Sequence, residues 1–350
     1  MSTTKRNSNH ELLRVLAMYM IVFIHANMYL GSFCSGTIGK FFGGFVNGIC
    51  NIGVSCFILI SGYYGVRFSV QKLVRMECMM ITYSLLETLI LCVAFPDKMQ
   101  GAVLLEQLVK SFLPFITRKY WFYSCYVCLL LLSGYIQKFI DQLKQKEFGR
   151  LLVLLLILFS VLPTLFYFEL VPDNGKGLVQ MIMIYMIGRY IRMYCDKPIT
   201  ELGGRKRAVG LFLNLWIING VSHEFPLQIG EMRHHLCKDN SITNIAMAVI
   251  IFYLFKELKL QSKFINKFAA YVFAVFALNN SFVTVVMEWL RAQRLRSPDG
   301  ILGFLILAGI VFGVLAICLL IGVAREAVLK KVDQKIGKMI EKWIRKGGKL

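Results

Sequence analysis

Residues 12–31 read LLRVLAMYMIVFIHANMYLG, an apolar stretch long enough to span a bilayer, and Arg14 and His25 lie within it. Ionisable side chains inside a membrane span are costly and usually serve a function. Because each helical residue turns the chain by about 100°, eleven residues bring the two side chains within about 20° of each other on one face. Their axial separation is about 16 Å, which indicates a path across the membrane with a cation at one end and an imidazole at the other.

The composition of the whole chain is that of a membrane protein. Of its 350 residues, 57% are hydrophobic and only 17% are charged, and the mean hydropathy is +0.61. A soluble domain of this size needs far more polar surface. Apolar runs of roughly 17 to 23 residues alternate with short charged loops, so the sequence predicts an all-α polytopic integral membrane protein.

About ten transmembrane helices are predicted from these runs. They cover residues 12–31, 46–65, 76–95, 120–137, 151–168, 177–194, 208–222, 241–257, 268–289 and 300–323. Most of the 40 lysines and arginines fall on the side of the N-terminus, so the positive-inside rule predicts that both termini are cytoplasmic. The expected location is the inner or plasma membrane.

Two parts of the chain are distinguished by composition. Residues 1–323 form the predicted transmembrane domain, and residues 324–350 form a basic, amphipathic, cytoplasmic tail. The apolar side of this tail would consist of Val328, Val332, Ile336, Met339, Ile340 and Trp343. The net charge of +20 lies mainly in predicted inner loops, where it meets anionic lipid headgroups. Membrane lipids are therefore the expected partners, and nucleic acid is not.

The ten cysteines do not indicate a metal centre or a disulfide framework. Cys125 and Cys128 have the CxxC spacing, but they lie within a predicted span, and no second Cys or His pair follows at metal-ligand spacing. A disulfide between Cys34 and Cys237, in two predicted outer segments, is left open. No metal is expected.

His25 is the one histidine of five that lies within a predicted span. A single histidine in a helix is more often a structural hydrogen-bonding group than a catalyst. This one shares a face with Arg14, and Glu11 lies three residues before that arginine. A neutral imidazole in a dry cavity can take a proton from a hydroxyl and later return it. His25, Arg14 and Glu11 are therefore the candidate catalytic residues.

The same residues resemble a known family. Glu11-Leu-Leu-Arg14, followed by ten residues and His25, is similar to the first-helix signature of the membrane acyltransferase-3 family. Further similar segments are NIGVSCFILISGY at 51–63, KLVR at 72–75, YWF at 120–122 and YMIGRYI at 185–191. The resemblance covers most of the chain and points to the branch that O-acetylates surface polysaccharides.

The resemblance implies a membrane O-acyltransferase. Such an enzyme moves an acyl group, most often acetyl, from cytoplasmic acyl-CoA to a hydroxyl of a cell-surface glycan or a lipid-linked glycan precursor. Acetyl-CoA is then the donor, and His25 acts as general base or carries the acyl group briefly. The implied donor-binding residues are Arg14, Lys72, Arg75, Ser61 and Tyr63, and the implied acceptor-binding residues are Tyr120, Trp121 and Asn279.

Ordinary structural roles compete with several of these assignments. Lys72 and Arg75 also fit simple positive-inside charge, and Arg14 fits a cation that reaches back to the headgroups. Gly62 suits a close helix contact, while Tyr63 and the aromatic pair at 120–121 suit the membrane interface.

The late part of the chain departs from the family pattern. Many members carry F-G-x-Y-L-I-H, where this chain has FAVFALNN at 273–280. An amide cannot act as a base, so Asn279 could only orient another group by hydrogen bonding. His25 is then the sole intramembrane histidine.

Two other functions remain open. A transporter or flippase could use His25 and Arg14 as a relay, although the chain shows no internal repeat and few other acidic residues within spans. A non-catalytic membrane scaffold is the second alternative. The acceptor sugar and the oligomeric state, a homo-oligomer included, are not fixed by the sequence.

Overall fold

The computed structural model describes residues 7–29, 33, 37–201, 203–229, 232–234 and 236–347. This part of the chain is helical almost throughout. Its one hairpin pairs strands β1 (Leu227–Ile229) and β2 (Met232–His234) in antiparallel register. The predicted all-α fold is confirmed. Cys34, Glu231, His235, the end of the first predicted span at residues 30–31 and both chain ends lie outside the described residues.

Helices overlap each predicted span, but the span at 46–65 falls on two helices, and the helix over the last span continues to Gly347. The helix Gln145–Phe166 contains a π-helical turn at Ile157–Val161, and a 3-10 turn at Ala269–Tyr271 joins the helix Lys263–Phe268 to the helix Val272–Ala292. The helices are α1 (Ser8–Asn27), α2 (Thr37–Cys50), α3 (Gly53–Tyr64), α4 (Val70–Ala94), α5 (Gly101–Phe112), α6 (Trp121–Asp141), α7 (Gln145–Phe166), α8 (Leu178–Tyr194), α9 (Arg205–Glu224), α10 (Ile242–Lys256), α11 (Lys263–Phe268), α12 (Val272–Ala292) and α13 (Ile301–Gly347).

Among the described residues, six helical segments are long and apolar enough to cross a membrane. They are Phe41–Tyr64, Val70–Ala94, Trp121–Asp141, Gln145–Phe166, Lys263–Ala292 and Ile301–Gly347. This confirms a multi-pass membrane protein. The other four predicted spans coincide with α1, α8, α9 and the shorter apolar helix α10.

Helix α1 lies at the centre of the bundle. It packs against α2, α3, α10, α11, α12 and α13. Leu13, Ala17, Val22 and Ala26 are completely buried along it. Because protein rather than lipid surrounds α1, this helix can carry charged and polar side chains that a lipid-facing helix could not.

Glycines allow α3 and α8 to approach until their backbones touch. A Cβ at Gly188 would lie 2.5 Å from the Leu59 carbonyl oxygen and 2.9 Å from the Cα of Gly62. A Cβ at Gly62 would lie 2.2 Å from the Tyr185 carbonyl oxygen. The close helix approach expected at Gly62 is therefore present, and it is built on backbone contact as in other small-residue helix pairs.

Helix α13 runs without a break through the predicted domain boundary at residue 323. At about 1.5 Å per residue its 47 residues extend about 70 Å, more than twice the thickness of a hydrocarbon core. Beyond the apolar half, its polar side packs on α4. There, Arg325 and Asp333 form a buried ion pair, and Gln71 donates a hydrogen bond to Glu341 at 2.6 Å.

The apolar side of the predicted tail faces outward instead. Val328 and Trp343 are 74% and 73% exposed, and Val332 and Met339 are also exposed. The polar side is buried because α4 offers polar partners: Gln71, Arg75 and Thr82 all bond to α13.

We expect Gly188→Ala to destabilise the protein by about 1–3 kcal/mol, because the new methyl group would push two backbones apart. The measurement is the thermal unfolding midpoint in detergent. Gly309→Ala is the matched control, since a Cβ there meets nothing within 4 Å. Equal midpoints for the two variants would contradict the backbone contact.

Candidate active site

Two cavities along helix α1 contain residues predicted for the site, and the first lies at the end that carries Arg14. It has a volume of about 410 Å³ and lies between α1, α3, α4, α6, α12 and α13. Its charged lining residues are Glu11, Arg14, Lys72, Arg75 and Glu326. Ser61 also lines it, and aromatic and methionine side chains complete the wall. The structure thus gathers three cations from two helices around one space.

Carboxylates hold two of these cations in place. Arg14 bonds to Glu11 at 2.7 Å, and Arg75 bonds to Glu326 of α13 at 2.6 Å. Lys72 has no salt-bridge partner among the described residues. The paired arginines are therefore held in fixed positions at the cavity, while the Lys72 ammonium is available to an anion that enters.

The second cavity lies at the His25 end of α1 and is smaller, with a volume of about 110 Å³. Its polar lining residues are His25, Asn51, Lys176 and Asp239, and Trp121 forms part of its aromatic wall. Lys176 precedes α8 and Asp239 precedes α10, so two connecting segments form part of the wall of this cavity.

Asn279 fixes the tautomer of His25. The Nδ2 amino group of Asn279 donates to the carbonyls of Val275 and Phe276 at 2.8 and 2.9 Å, which uses both of its hydrogens. Its Oδ1 bonds to Nδ1 of His25. Because Oδ1 can only accept, Nδ1 carries the proton and Nε2 carries the lone pair. Nε2 has no hydrogen-bond partner among the described residues, so it is placed to act as a base.

A thin wall separates the two cavities. Met18, Phe122 and Phe276 line both of them. The rings of Phe122 and Phe276 lie 5.3 Å apart, and Met18 is buried. One layer of side chains therefore lies between the Arg14 cavity and the His25 cavity, and the flexible thioether of Met18 is part of it.

Most of the residues predicted for the site come together around these cavities. Glu11, Arg14, Ser61, Lys72 and Arg75 line the first cavity. His25 and Trp121 line the second, and Asn279 lies behind His25 rather than on the cavity wall.

Tyr63 lies outside both cavities, in a separate polar cluster. Its hydroxyl donates to Asp196 at 2.8 Å and accepts from Arg192 at 3.0 Å, and Lys256 also bonds to Asp196. Burial alone would raise the pKa of Asp196, but the hydrogen bonds from Lys256 and Tyr63 outweigh it and lower that pKa. The cluster ties the end of α3 to α8 and α10.

Tyr120 also lies outside the cavities. Its hydroxyl donates to Glu87, which forms an ion pair with Lys119 at 3.1 Å. This group joins α4 to the segment that opens α6. The neighbouring Trp121 reaches the His25 cavity, so the aromatic pair is divided between a structural position and the site.

Three charged residues at the cavities were missed by the sequence analysis: Lys176, Asp239 and Glu326. Lys176 and Asp239 lie in short connecting segments far from His25 in sequence, and no motif marks them. Glu326 follows the last predicted span, where acidic residues are ordinary. Only the packing of the helices brings these three to α1.

Comparison with known protein families identifies one family for this chain. A family model described as an acyltransferase domain, that of the acyltransferase-3 family, matches residues 7–323. The chain belongs to the acyltransferase-3 family. No curated protein and no solved structure matches it at a significant level. For this member of the acyltransferase-3 family, the match and the apolar helices together support a membrane acyltransferase.

We expect Asn279→Ala to abolish the preference of His25 for one tautomer, because the variant removes the acceptor that holds the proton on Nδ1. The measurement is the pair of ring ¹⁵N chemical shifts of His25, assigned by comparison with His25→Gln. Wild type should give one tautomer with a protonated Nδ1, and Asn279→Ala a mixture. Asn280→Ala, a change at the exposed neighbour, is the control. Unchanged shifts in Asn279→Ala would contradict the assignment.

Proposed function

We propose that the protein transfers an acyl group, in the first instance acetyl, from cytoplasmic acyl-CoA to a hydroxyl of a cell-surface glycan or lipid-linked glycan precursor. One observation carries this proposal: α1 presents Arg14 to one cavity and the free Nε2 of His25 to another, with one layer of side chains between them. A donor and an acceptor can thus approach the same point from opposite sides.

The donor occupies the Arg14 cavity in this proposal. CoA is polyanionic, and Arg14, Lys72 and Arg75 offer it one free ammonium and two oriented guanidinium groups. Glu11 acts through Arg14 by holding its guanidinium, and Ser61 lines the path toward α1. The carboxylates compete with the phosphates for both arginines, so binding needs the arginines to exchange partners.

The chemistry takes place at the dividing wall. The acyl end of the donor displaces the Met18 side chain and meets the acceptor beside His25. Nε2 of His25 takes the proton of the acceptor hydroxyl, and the hydroxyl oxygen attacks the carbonyl carbon of the thioester. The carbon–sulfur bond then breaks, and the CoA thiolate takes the proton back from His25. An ester and free CoA result, and the imidazole returns to its starting tautomer.

The acceptor is proposed to enter from the opposite side, past Trp121. The flat indole face suits a sugar ring, and the cavity behind it ends at His25. This arrangement fits the surface-polysaccharide branch of the family, with the protein in the inner or plasma membrane and lipids around it.

The proposal includes a topology of ten spans with both termini in the cytoplasm. Ten helical segments coincide with the ten apolar runs, and the cations concentrate in the segments on the N-terminal side. The Arg14 cavity then opens toward the cytoplasm, where acyl-CoA is made, and the His25 cavity toward the outside.

A labelling experiment tests this topology. A cysteine introduced at Lys98 should react with a membrane-impermeant maleimide in right-side-out vesicles. Residues 96–119 follow the third predicted span, so a cytoplasmic N-terminus places them outside. A cysteine at Lys144 should react only after the vesicles are opened. The native protein, with its ten cysteines, gives the background in each case. Equal labelling of both positions in sealed vesicles would contradict the topology.

The catalytic assignment is tested with labelled acetyl-CoA and glycan acceptor on proteoliposomes. His25→Gln should abolish transfer but leave donor affinity unchanged, because His25 lies outside the donor cavity. Arg14→Ala should weaken donor affinity by about 10- to 100-fold, the loss of a hydrogen bond to a charged group. Arg150→Ala, at an exposed arginine, is the control.

The same assay separates the alternatives. Substrate flux without donor turnover would indicate a transporter. If the wild-type protein does not consume acetyl-CoA, and if the His25→Gln variant gives the same assay result as wild type, the enzyme proposal is overturned in favour of a scaffold.

A further inference from the structure

The wall of the His25 cavity carries a carboxylate that the proposed reaction does not use. Asp239 lines this cavity, and no side-chain partner bonds to its carboxylate among the described residues. Lys176 stands at the same cavity and is exposed at its mouth. An unpartnered carboxylate that faces a cavity needs a hydrogen-bond donor from whatever occupies it.

The position of Asp239 is rigidly defined by its backbone. Its carbonyl accepts from Nε2 of Gln180 at 3.1 Å, and the next carbonyl, of Asn240, accepts from Ser160 at 2.7 Å. Gly175, at φ +80°, packs so closely that a Cβ there would lie 2.5 Å from the Asn240 nitrogen. The segment that carries Lys176 is therefore locked against the segment that carries Asp239.

A small niche continues the cavity behind Asp239. Its volume is about 10 Å³, close to that of one water-sized probe, and Trp121, Gln180 and Asp239 line it. Gln180 is 5% exposed, and its Oε1 has no hydrogen-bond partner among the described residues. This is a second oxygen at the niche that requires a donor. Within the described part of the chain, two acceptors without a side-chain partner, the Asp239 carboxylate and Oε1 of Gln180, therefore line the niche and favour an occupant with O–H or N–H groups.

We propose that Asp239, with Oε1 of Gln180 behind it, binds a second hydroxyl of the acceptor, so that the protein selects polyols with a hydroxyl adjacent to the one acylated. This inference rests on the acyl transfer proposed above. The reacting hydroxyl meets Nε2 of His25, its neighbour donates to the Asp239 carboxylate, and the Trp121 ring covers the carbon skeleton between them. Asp239 is thus a specificity-determining residue that no motif marks.

The test compares cis-1,2-cyclohexanediol with cyclohexanol as acceptors for labelled acetyl-CoA. Wild type should use the diol at least about tenfold more efficiently, as expected for a hydrogen bond to a charged group. Asp239→Ala should abolish that preference through KM for the diol, with donor hydrolysis and cyclohexanol transfer unchanged. Asp141→Ala, at an exposed aspartate, is the matched control.

The pH dependence provides a second readout that a structural role would not give. Burial raises the pKa of Asp239 to about 7, with Lys176 opposing the shift and Asp173 adding to it. The charged groups that share this cavity with Asp239 are Lys176, at its mouth, and His25 when it is protonated. Because the ionised carboxylate is the stronger acceptor, the diol preference of wild type should increase as the pH rises through about 7. The isosteric Asp239→Asn, which also serves if Asp239→Ala does not fold, should show a flat preference.

The outcomes distinguish this inference from the proposed function. Equal use of the two alcohols by wild type, or a preference that survives in both Asp239 variants, overturns the polyol inference and leaves acyl transfer standing. The absence of both transfer and donor hydrolysis in wild type overturns acyl transfer, and the inference with it.

Discussion

The structure depends on the burial of helix α1. This helix carries Glu11 and Arg14 near one end and His25 near the other, and none of these can face hydrocarbon at low cost. Six other helices surround it, and each ionisable group has a polar partner: Glu11 for Arg14 and Asn279 for His25. One of these helices, α3, is held in turn by its backbone contact with α8 at Gly62 and Gly188. The cost of polar groups in a membrane thus determines which helix is central.

The two cavities make chemical sense as a pair because they are adjacent but closed to each other. A thioester that met open water would be exposed to hydrolysis, and closing a site against water prevents such side reactions. Met18, Phe122 and Phe276 form an apolar layer between the cationic cavity and His25. Of the three, methionine has the most rotatable bonds, so in the proposed reaction an acyl group would displace it without moving a backbone. In that proposal the wall both excludes water and is the place of reaction.

The sequence was sufficient to predict the helical membrane fold, because long apolar runs determine it directly. It also predicted that Arg14 and His25 share one helix, since their spacing follows from helical geometry alone. Asn279 could be limited to hydrogen bonding by its chemistry, but its pairing with His25 depends on how α12 packs against α1. Asp239 and Glu326 were missed for the same reason, as each reaches its cavity only through tertiary contacts.

Residues of similar type can differ in role because their partners differ. Tyr63 and Tyr120 look like site residues in the sequence, yet Asp196 and Glu87 bind their hydroxyls away from the cavities. A buried tyrosine hydroxyl is satisfied by the nearest acceptor, and the sequence does not show which acceptor that is.

The Arg14 cavity has a feature that bears on the proposed turnover. Two of its three cations, Arg14 and Arg75, are paired with Glu11 and Glu326, so an anion that binds either arginine replaces an existing ion pair. In the proposed reaction this exchange would weaken donor binding, but it would leave the arginines partnered and oriented after the product departs. Glu326 belongs to α13, whose polar side is held on α4 by the buried pair of Arg325 and Asp333. The C-terminal helix is thereby part of the Arg14 cavity. Its packing on α4 sets how tightly Arg75 is held and so, in the proposed reaction, how readily CoA would enter and leave.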